Sequence, residues 1–170
     1  MRIGRALRVD DGEAFDRLFE REYARVVRVA HRVLDDRAAA EDVAQEVFLS
    51  FHRSHPATAE LAAGWLHSAA AHTALNALRS RKRRASREER GASLDSVADP
   101  EGEALASERR AEVREALARM PAKGATLLVL RYSGLSYAEC ATALGIKADQ
   151  VGTLLRRAEA AFKKEVGLDG

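Results

Sequence analysis

Apolar residues recur at spacings of three and four along most of the chain, the pattern of amphipathic α-helices. The first such stripe covers about residues 13–34 and the second about residues 38–52. A third helix is predicted from residue 58 or 61 to residue 83. No stretch of any length alternates apolar and polar residues as a half-buried strand would. The pattern therefore predicts an all-α fold.

The last third of the chain has a pattern of its own. Ser136 and Glu139 have the spacing of a capping box that opens a short helix. That helix is predicted to end at Gly145, and a longer helix follows from about Ala148. This order, with polar and basic residues facing outward from the second helix, is typical of a helix-turn-helix that enters a DNA major groove. An ordinary helical hairpin would leave the same pattern, so both interpretations stay open at this point.

A segment of different composition separates these helical parts. Residues 86–108 contain Gly, Pro, Ser and many acids but few large apolar side chains. Such a segment cannot bury enough apolar surface to offset the entropy of ordering it. We therefore predict two small helical domains, residues 1–85 and 109–170, joined by a flexible acidic linker. The second domain would carry the helix-turn-helix.

Composition narrows the compartment and the chemistry. No apolar run approaches the length of a membrane span, and no apolar block follows the basic residues near the N-terminus. The single cysteine, Cys140, excludes an internal disulfide, and its place in a short helix favours burial. We expect a cytoplasmic protein. There is no Gly-rich phosphate loop, HExxH motif or nucleophile constellation. We therefore predict no catalytic residue, cofactor, metal site or small-molecule substrate.

The distribution of charge is more informative than the net charge of +2. Five of the six residues in segment 79–84 are basic, whereas acids dominate residues 86–108. Clustered Lys and Arg attract a polyanion, so the first block indicates a nucleic-acid partner.

Taken with the predicted helix-turn-helix, residues 40–49 (AEDVAQEVFL) resemble bacterial sigma factors of the sigma-70 family. The similarity is greatest to the small extracytoplasmic-function (ECF) group. It covers about residues 15–84, which resemble region 2, and about residues 113–164, which resemble region 4. Gly64-Trp65-Leu66, the basic block and residues 134–137 (GLSY) also agree in order and spacing.

The resemblance implies a sigma factor that binds core RNA polymerase and directs promoter-specific transcription initiation. Docking on the coiled coil of the beta-prime subunit and on the beta flap is expected, and an anti-sigma factor is an expected further partner. The residues implied in docking lie on the predicted second helix: Glu41, Asp42, Gln45, Glu46 and Leu49. A merely solvated acidic face would have the same periodicity.

The resemblance also assigns promoter contacts to two helices. The set implied at the minus-ten element, along the third helix, is Trp65, His72, Asn76, Arg79, Arg81, Lys82, Arg83 and Arg84. The set implied at the minus-thirty-five element is Lys147, Gln150, Thr153, Arg156 and Arg157. Such cations neutralise phosphates, and Gln and Arg can also contact base edges. Trp65 could instead belong to the core, and His67 and His72 are expected at the surface or in a groove.

Two other functions fit part of the sequence. A stand-alone helix-turn-helix regulator would dimerise on a palindromic site, but it gives no role to residues 41–49. A sigma-like adaptor would bind polymerase without promoter specificity. The adaptor is suggested by Gly152, Leu154 and Glu159, which occupy positions where relatives often carry basic residues.

Overall fold

A computed structural model describes residues 9–88 and 101–168 of the 170-residue chain. These residues form seven α-helices, which confirms the predicted all-α class. In chain order the helices are α1 (Val9–Leu34), α2 (Arg37–Ser54), α3 (Ala62–Glu88), α4 (Glu101–Arg119), α5 (Ala122–Tyr132), α6 (Tyr137–Leu144) and α7 (Ala148–Glu165).

Helices α1, α2 and α3 pack on one another around an apolar core. The turn between α1 and α2 consists of two aspartates. Asp35 adopts a left-handed conformation with φ 49°, which Asp tolerates better than most residues. The Asp36 side chain accepts a hydrogen bond from the Ala39 N–H at 3.1 Å and caps α2. The tight turn brings the apolar faces of α1 and α2 together, with Phe51 fully buried between helices.

The helix pair α6–α7 has the predicted local structure. The Ser136 hydroxyl accepts from the Glu139 N–H at 3.1 Å, and the Glu139 carboxylate accepts from the Ser136 N–H at 2.8 Å, so the capping box is complete. Gly145 ends α6 with φ 65°, a conformation that glycine adopts without steric cost. The Ile146 N–H then donates to the Ala141 carbonyl at 3.0 Å. These contacts fix the turn that leads into α7.

The predicted linker needs correction at both ends. Helix α3 continues to Glu88, and α4 already begins at Glu101, so part of segment 86–108 is helical. Residues 89–100 lie outside the described residues. The prediction of a flexible segment relied on low hydrophobicity. It was wrong for residues 101–108 because they are rich in Ala, Glu and other good helix formers. Glu103, in the first turn of α4, also suits the positive end of the helix dipole.

Helix α3 connects the two halves of the described chain. It packs against α1 and α2 on one side and against α5 and α6 on the other. Leu66 and Leu75 of α3 are almost completely buried. Among the helices that the structure describes, none is long and apolar enough to cross a membrane.

Candidate nucleic-acid and partner interfaces

The outer face of α2 is acidic and solvent-exposed. One face of the helix is buried, including Val43, Val47 and Phe48. The opposite face exposes four of the five residues predicted to dock on polymerase: Asp42, Gln45, Glu46 and Leu49. The fifth, Glu41, is half-buried and pairs with Arg37 at 3.0 Å. Leu49 is 54% exposed, so an apolar side chain lies in solvent beside the acids.

Asp42 and Glu46 contribute little to the stability of α2 itself. They lie four residues apart on one face, where like charges repel by a few tenths of a kcal/mol. Within residues 9–88 and 101–168, neither carboxylate has an ion-pair partner. The two carboxylates are therefore suited to bind a basic surface of another molecule.

The second half of α3 carries an exposed basic strip. His72 and Asn76 are exposed one turn apart, and Arg81, Arg83 and Arg84 follow in the same state. Lys82 is half-buried. More than three consecutive turns of helix thus present polar and basic groups that can contact phosphates.

Arg79 differs from the rest of the predicted minus-ten set. Its guanidinium donates to the carbonyl oxygens of Ala118 and Met120, at 3.3 and 3.2 Å. Those carbonyls lie at the end of α4, where backbone acceptors lack partners within the helix. In this conformation Arg79 holds α3 to α4 and does not join the exposed basic strip.

Trp65 is partly buried near the start of α3. Its ring centroid lies 5.5 Å from that of Phe51 and 5.0 Å from that of His55. This aromatic cluster supports the packing interpretation of Trp65. Its stacking on a base stays a prediction.

The expectation that His67 lies at the surface or in a groove was wrong. His67 is only 2% exposed, and its Nε2 lies 2.9 Å from a carboxylate oxygen of Glu22, which is itself 3% exposed. The sequence held one signal of this pair. Glu22 stands midway between Leu18 and Val26 on the apolar stripe of α1, at a spacing of four from each. Its partner, 45 residues away, could not be read from the sequence.

Burial lowers the pKa of His67 below its ordinary value of 6.5, and the hydrogen bond with Glu22 opposes that shift only in part. The unfolded chain therefore binds a proton more readily than the folded chain. We expect the free energy of unfolding to fall as the pH is lowered from 7.5 to 5.5. Urea titrations at the two pH values measure the slope. His67→Gln, which can still donate to Glu22, should flatten it, whereas the exposed-site control His72→Gln should not. An unchanged slope in His67→Gln would assign the pH dependence to other groups.

The exposed face of α7 contains all five residues predicted at the minus-thirty-five element. Val151, Leu155 and Ala158 are buried, and this leaves the opposite face in solvent. The exposed side chains are Lys147, Gln150, Thr153, Arg156 and Arg157.

Gln150 also compensates for a poor helix cap. Lys147 occupies the N-cap position, where its side chain cannot accept a hydrogen bond. The Gln150 side-chain oxygen instead accepts from the Lys147 N–H at 3.2 Å. The amide NH₂ of Gln150 stays available to donate to a base or phosphate.

The structure explains one of the unusual residues of α7, Glu159, but not the glycine at position 152. The Glu159 carboxylate accepts a hydrogen bond from the Tyr132 hydroxyl at 3.0 Å, so it links α7 to α5. A Cβ placed on Gly152 would lie 3.7 Å from the Tyr137 ring, an ordinary contact distance. The fold therefore does not require glycine there.

Gly152→Ala should consequently stabilise the protein. Glycine inside a helix costs about 1 kcal/mol relative to alanine, and the added methyl group meets no clash. Thermal unfolding followed by circular dichroism should give a higher midpoint for the variant. A lower midpoint would mean that α7 needs the glycine. Raised stability with lost DNA binding would indicate instead that the backbone approaches DNA closely at this position.

The last two features to locate are the single cysteine and any cluster of metal-binding side chains. Cys140 is fully buried, as expected, and burial raises the pKa of its thiol. Within the described ranges, no group of three or more His, Cys, Asp and Glu side chains is placed to hold a metal ion.

Two segments of the chain match known protein families. Residues 18–84 match the family model of sigma-70 region 2, and residues 110–162 match that of sigma-70 region 4. The chain is 30% identical over 167 residues to the RNA polymerase sigma-H factor of Pseudomonas aeruginosa, covering 91% of this chain and 86% of that protein. It is 32% identical over 153 residues to the ECF RNA polymerase sigma factor SigE of Mycolicibacterium smegmatis. That match covers 85% of this chain and 58% of SigE.

Two solved structures have a similar fold. The sigma factor RpoE from Bartonella quintana, solved in complex with the anti-sigma factor NepR, aligns with a TM-score of 0.52 at 19% identity, over 92% of this chain and 98% of RpoE. CnrH, solved in complex with the cytosolic domain of CnrY, aligns with a TM-score of 0.56 at 21% identity, over 94% of this chain and 91% of CnrH. At these identities the likeness is one of fold.

The chain is thus an all-helical protein whose two matched regions both belong to bacterial sigma factors. It is a member of the sigma-70 family and, within that family, of the ECF group.

Proposed function

We propose that this sigma factor binds core RNA polymerase and directs transcription initiation at specific promoters. The observation that carries the proposal is the presence of two separate exposed faces on one chain, an acidic one on α2 and a basic one on α7. A sigma factor needs both, because one face must meet polymerase and the other must meet DNA. Its role is that of an initiation factor and not of an enzyme.

Polymerase docking is proposed for the α2 face. The exposed carboxylates of Asp42 and Glu46 are free to pair with cations of the beta-prime coiled coil, and Leu49 adds an apolar contact at the same face. Charge complementarity of this kind raises both specificity and association rate. A second contact, to the beta flap, is proposed for the unit formed by residues 109–170.

Promoter recognition is proposed for the two basic surfaces. The exposed strip on α3, in the unit of residues 1–85, would meet the minus-ten element. The exposed residues of α7 would meet the minus-thirty-five element, where Gln and Arg side chains can contact base edges in the major groove. Lys147 and Arg157, at opposite ends of this set, are suited to hold the helix on the phosphate backbone.

We also propose that an anti-sigma factor binds this chain and that the protein is cytoplasmic. RpoE was solved with the anti-sigma factor NepR, and CnrH was solved with the cytosolic domain of CnrY. A regulator of the same kind is proposed for this chain. The polymerase and DNA that it would bind are cytoplasmic, and so we place the protein there.

Reconstituted transcription tests the function. The purified chain is mixed with bacterial core polymerase, and transcripts from genomic fragments are mapped. Initiation at discrete sites, absent without the chain, is expected. Binding to polymerase without initiation would favour a sigma-like adaptor, and absence of polymerase binding would contradict both functions.

A further inference from the structure

A cleft lined by arginines lies between the end of α1 and the middle of α4. Its volume is about 480 Å³, within the range of small-molecule sites in proteins. The lining residues come from α1, the turn that follows it and α4: Arg28, His31, Arg32, Asp35, Arg109, Arg110, Val113 and Arg114. None of them is among the residues named above for polymerase docking or promoter contact.

The cleft has a large excess of positive charge. Five guanidinium groups and one carboxylate line it, so four positive charges are in excess. Within residues 9–88 and 101–168, Arg28, Arg32 and Arg109 have no ion-pair partner. An anion that enters the cleft therefore meets guanidinium groups that no described carboxylate already occupies.

Helix stability does not explain these arginines. Arg28 and Arg32 lie four residues apart on α1, where like charges repel and weaken the helix. Arg32, in the last turn of α1, suits the negative end of the helix dipole. Arg28 lies a turn earlier and Arg109 lies in the middle of α4, so neither gains from a dipole whose effect is confined to the terminal turns.

Asp35 positions the other two arginines of the cleft. One oxygen of its carboxylate lies 2.9 Å from Nε of Arg110 and 3.3 Å from a terminal nitrogen of Arg114. The Asp35 N–H donates to the His31 carbonyl at 2.9 Å, which anchors this aspartate at the end of α1. Side chains that are held in place before binding lose less entropy when a ligand binds. Each guanidinium has five N–H donors, so both arginines keep donors for a ligand.

Linked phosphate groups are the anions that suit this set of donors best. Arginine binds phosphate oxygens through two parallel N–H donors, a geometry that lysine cannot offer. Five such groups, spread over two helices, exceed what a single phosphate can engage. The cleft also contains the His31 ring and Val113, which is 40% exposed. A nucleobase can stack on such an aromatic ring.

We propose that the α1–α4 cleft binds a compact polyphosphate, either inorganic or carried by a nucleoside. Arg28, Arg32 and Arg109 bind its oxygens, together with the two arginines that Asp35 positions. The site is independent of the proposed function, because neither polymerase nor promoter DNA takes part in binding. Its ligand contacts both matched regions of the chain, since α1 lies largely in the region 2 match and Arg110 and Arg114 lie in the region 4 match.

Isothermal titration calorimetry of the full chain tests the site. The probes are inorganic phosphate, tripolyphosphate and GTP, at one low ionic strength and without divalent cations. Tripolyphosphate should bind at least about tenfold more tightly than phosphate, because more oxygens meet more guanidinium groups. Tighter binding of GTP than of tripolyphosphate would identify the ligand as a nucleoside polyphosphate. Equal or weaker binding of GTP would identify it as inorganic.

A double variant tests whether the cleft is the site. Arg28→Gln/Arg109→Gln removes one guanidinium from each helix, and neither arginine makes an ion pair on which the described fold depends. Tripolyphosphate affinity should fall about 100-fold, since each charge-assisted hydrogen bond is worth roughly tenfold or more in affinity. Circular dichroism verifies that the variant is folded.

Arg53 and Arg87 provide the matched control. Both are exposed, lie outside the cleft and have no ion-pair partner among the described residues. Arg53→Gln/Arg87→Gln lowers the net charge by the same amount, and it should change tripolyphosphate affinity by no more than about threefold. Equal losses in the two variants would mean that overall positive charge holds the anion, and this would overturn the site.

Two further results would contradict the proposal. One is tripolyphosphate that binds no more tightly than phosphate. The other concerns a duplex without promoter elements. If Arg28→Gln/Arg109→Gln weakened binding to that duplex more than the control did, but left tripolyphosphate affinity unchanged, the cleft would be a contact for the DNA backbone. Each result is obtained without polymerase, so failure of the site would leave the proposed function intact.

Discussion

Reversing the charge of Asp42 and Glu46 to lysine is expected to weaken binding to core polymerase at least about 100-fold. Both carboxylates are exposed and have no ion-pair partner within the described ranges, so the change places cations directly against a basic partner. Like charges brought together at an interface cost several kcal/mol, and a 100-fold loss corresponds to about 2.8 kcal/mol. Affinity is measured by titrating labelled chain with core polymerase. Helicity should be unchanged, because the two lysines replace a pair that already repelled.

The chain offers a closely matched control for this experiment. Asp16 and Glu20 of α1 are also an exposed Asp–Glu pair at a spacing of four, with no ion-pair partner among the described residues. Asp16→Lys/Glu20→Lys alters the net charge by the same amount, and it should leave polymerase affinity within about twofold. Equal losses in both variants would mean that net charge, and not the α2 face, governs binding. Loss of helicity only in the α2 variant would show that these acids are structural.

Removing Arg156 and Arg157 together is expected to weaken promoter binding by the polymerase–sigma complex and to reduce its salt dependence. Each lost phosphate contact lowers the slope of log affinity against log salt by about 0.9, so the double alanine variant should lose up to about 1.8. The affinity should fall about 100-fold or more at moderate salt, because charge-assisted contacts contribute about 1.5 kcal/mol or more each. Titrations of promoter fragments at several salt concentrations measure both quantities.

Lys163 and Lys164 provide the control for the arginine pair. They lie on the same helix and are exposed, and they carry the same total charge. Because they lie outside the proposed contact, Lys163→Ala/Lys164→Ala should lower the slope by less than the arginine variant does. If the two variants lose affinity and salt slope equally, α7 attracts DNA only through its overall positive charge. The assignment of the promoter contact to Arg156 and Arg157 would then be wrong.

Periodicity was sufficient for the features that depend on residues close in sequence. Residues 40–49 predict both which side of α2 is buried and which side is exposed, because one helix of known period decides both. The Ser136–Glu139 capping box and the glycine turn at Gly145 were predictable for the same reason. Each is formed by contacts across three to five residues, and the structure contains them as expected.

Contacts between distant segments were not predictable. Arg79 looked like one more member of the basic strip, and only the folded chain places it on carbonyls 39 and 41 residues away. His67 looked like a surface residue because Glu22, its partner, is distant along the chain. The predicted linker was too long because the prediction gave low hydrophobicity more weight than the helix propensity of residues 101–108. The assignment of single residues to polymerase or DNA stays a prediction.

Footprinting on a mapped promoter tests the central claim most directly, namely that polymerase delivers this chain to two promoter elements at once. Hydroxyl-radical cleavage is compared for the chain alone, for core polymerase alone and for the two together. We predict protection over both elements only when both proteins are present. Arg156→Ala/Arg157→Ala should lose the upstream half of that protection first. A palindromic footprint from the chain alone, or an identical footprint from polymerase alone, would contradict the claim.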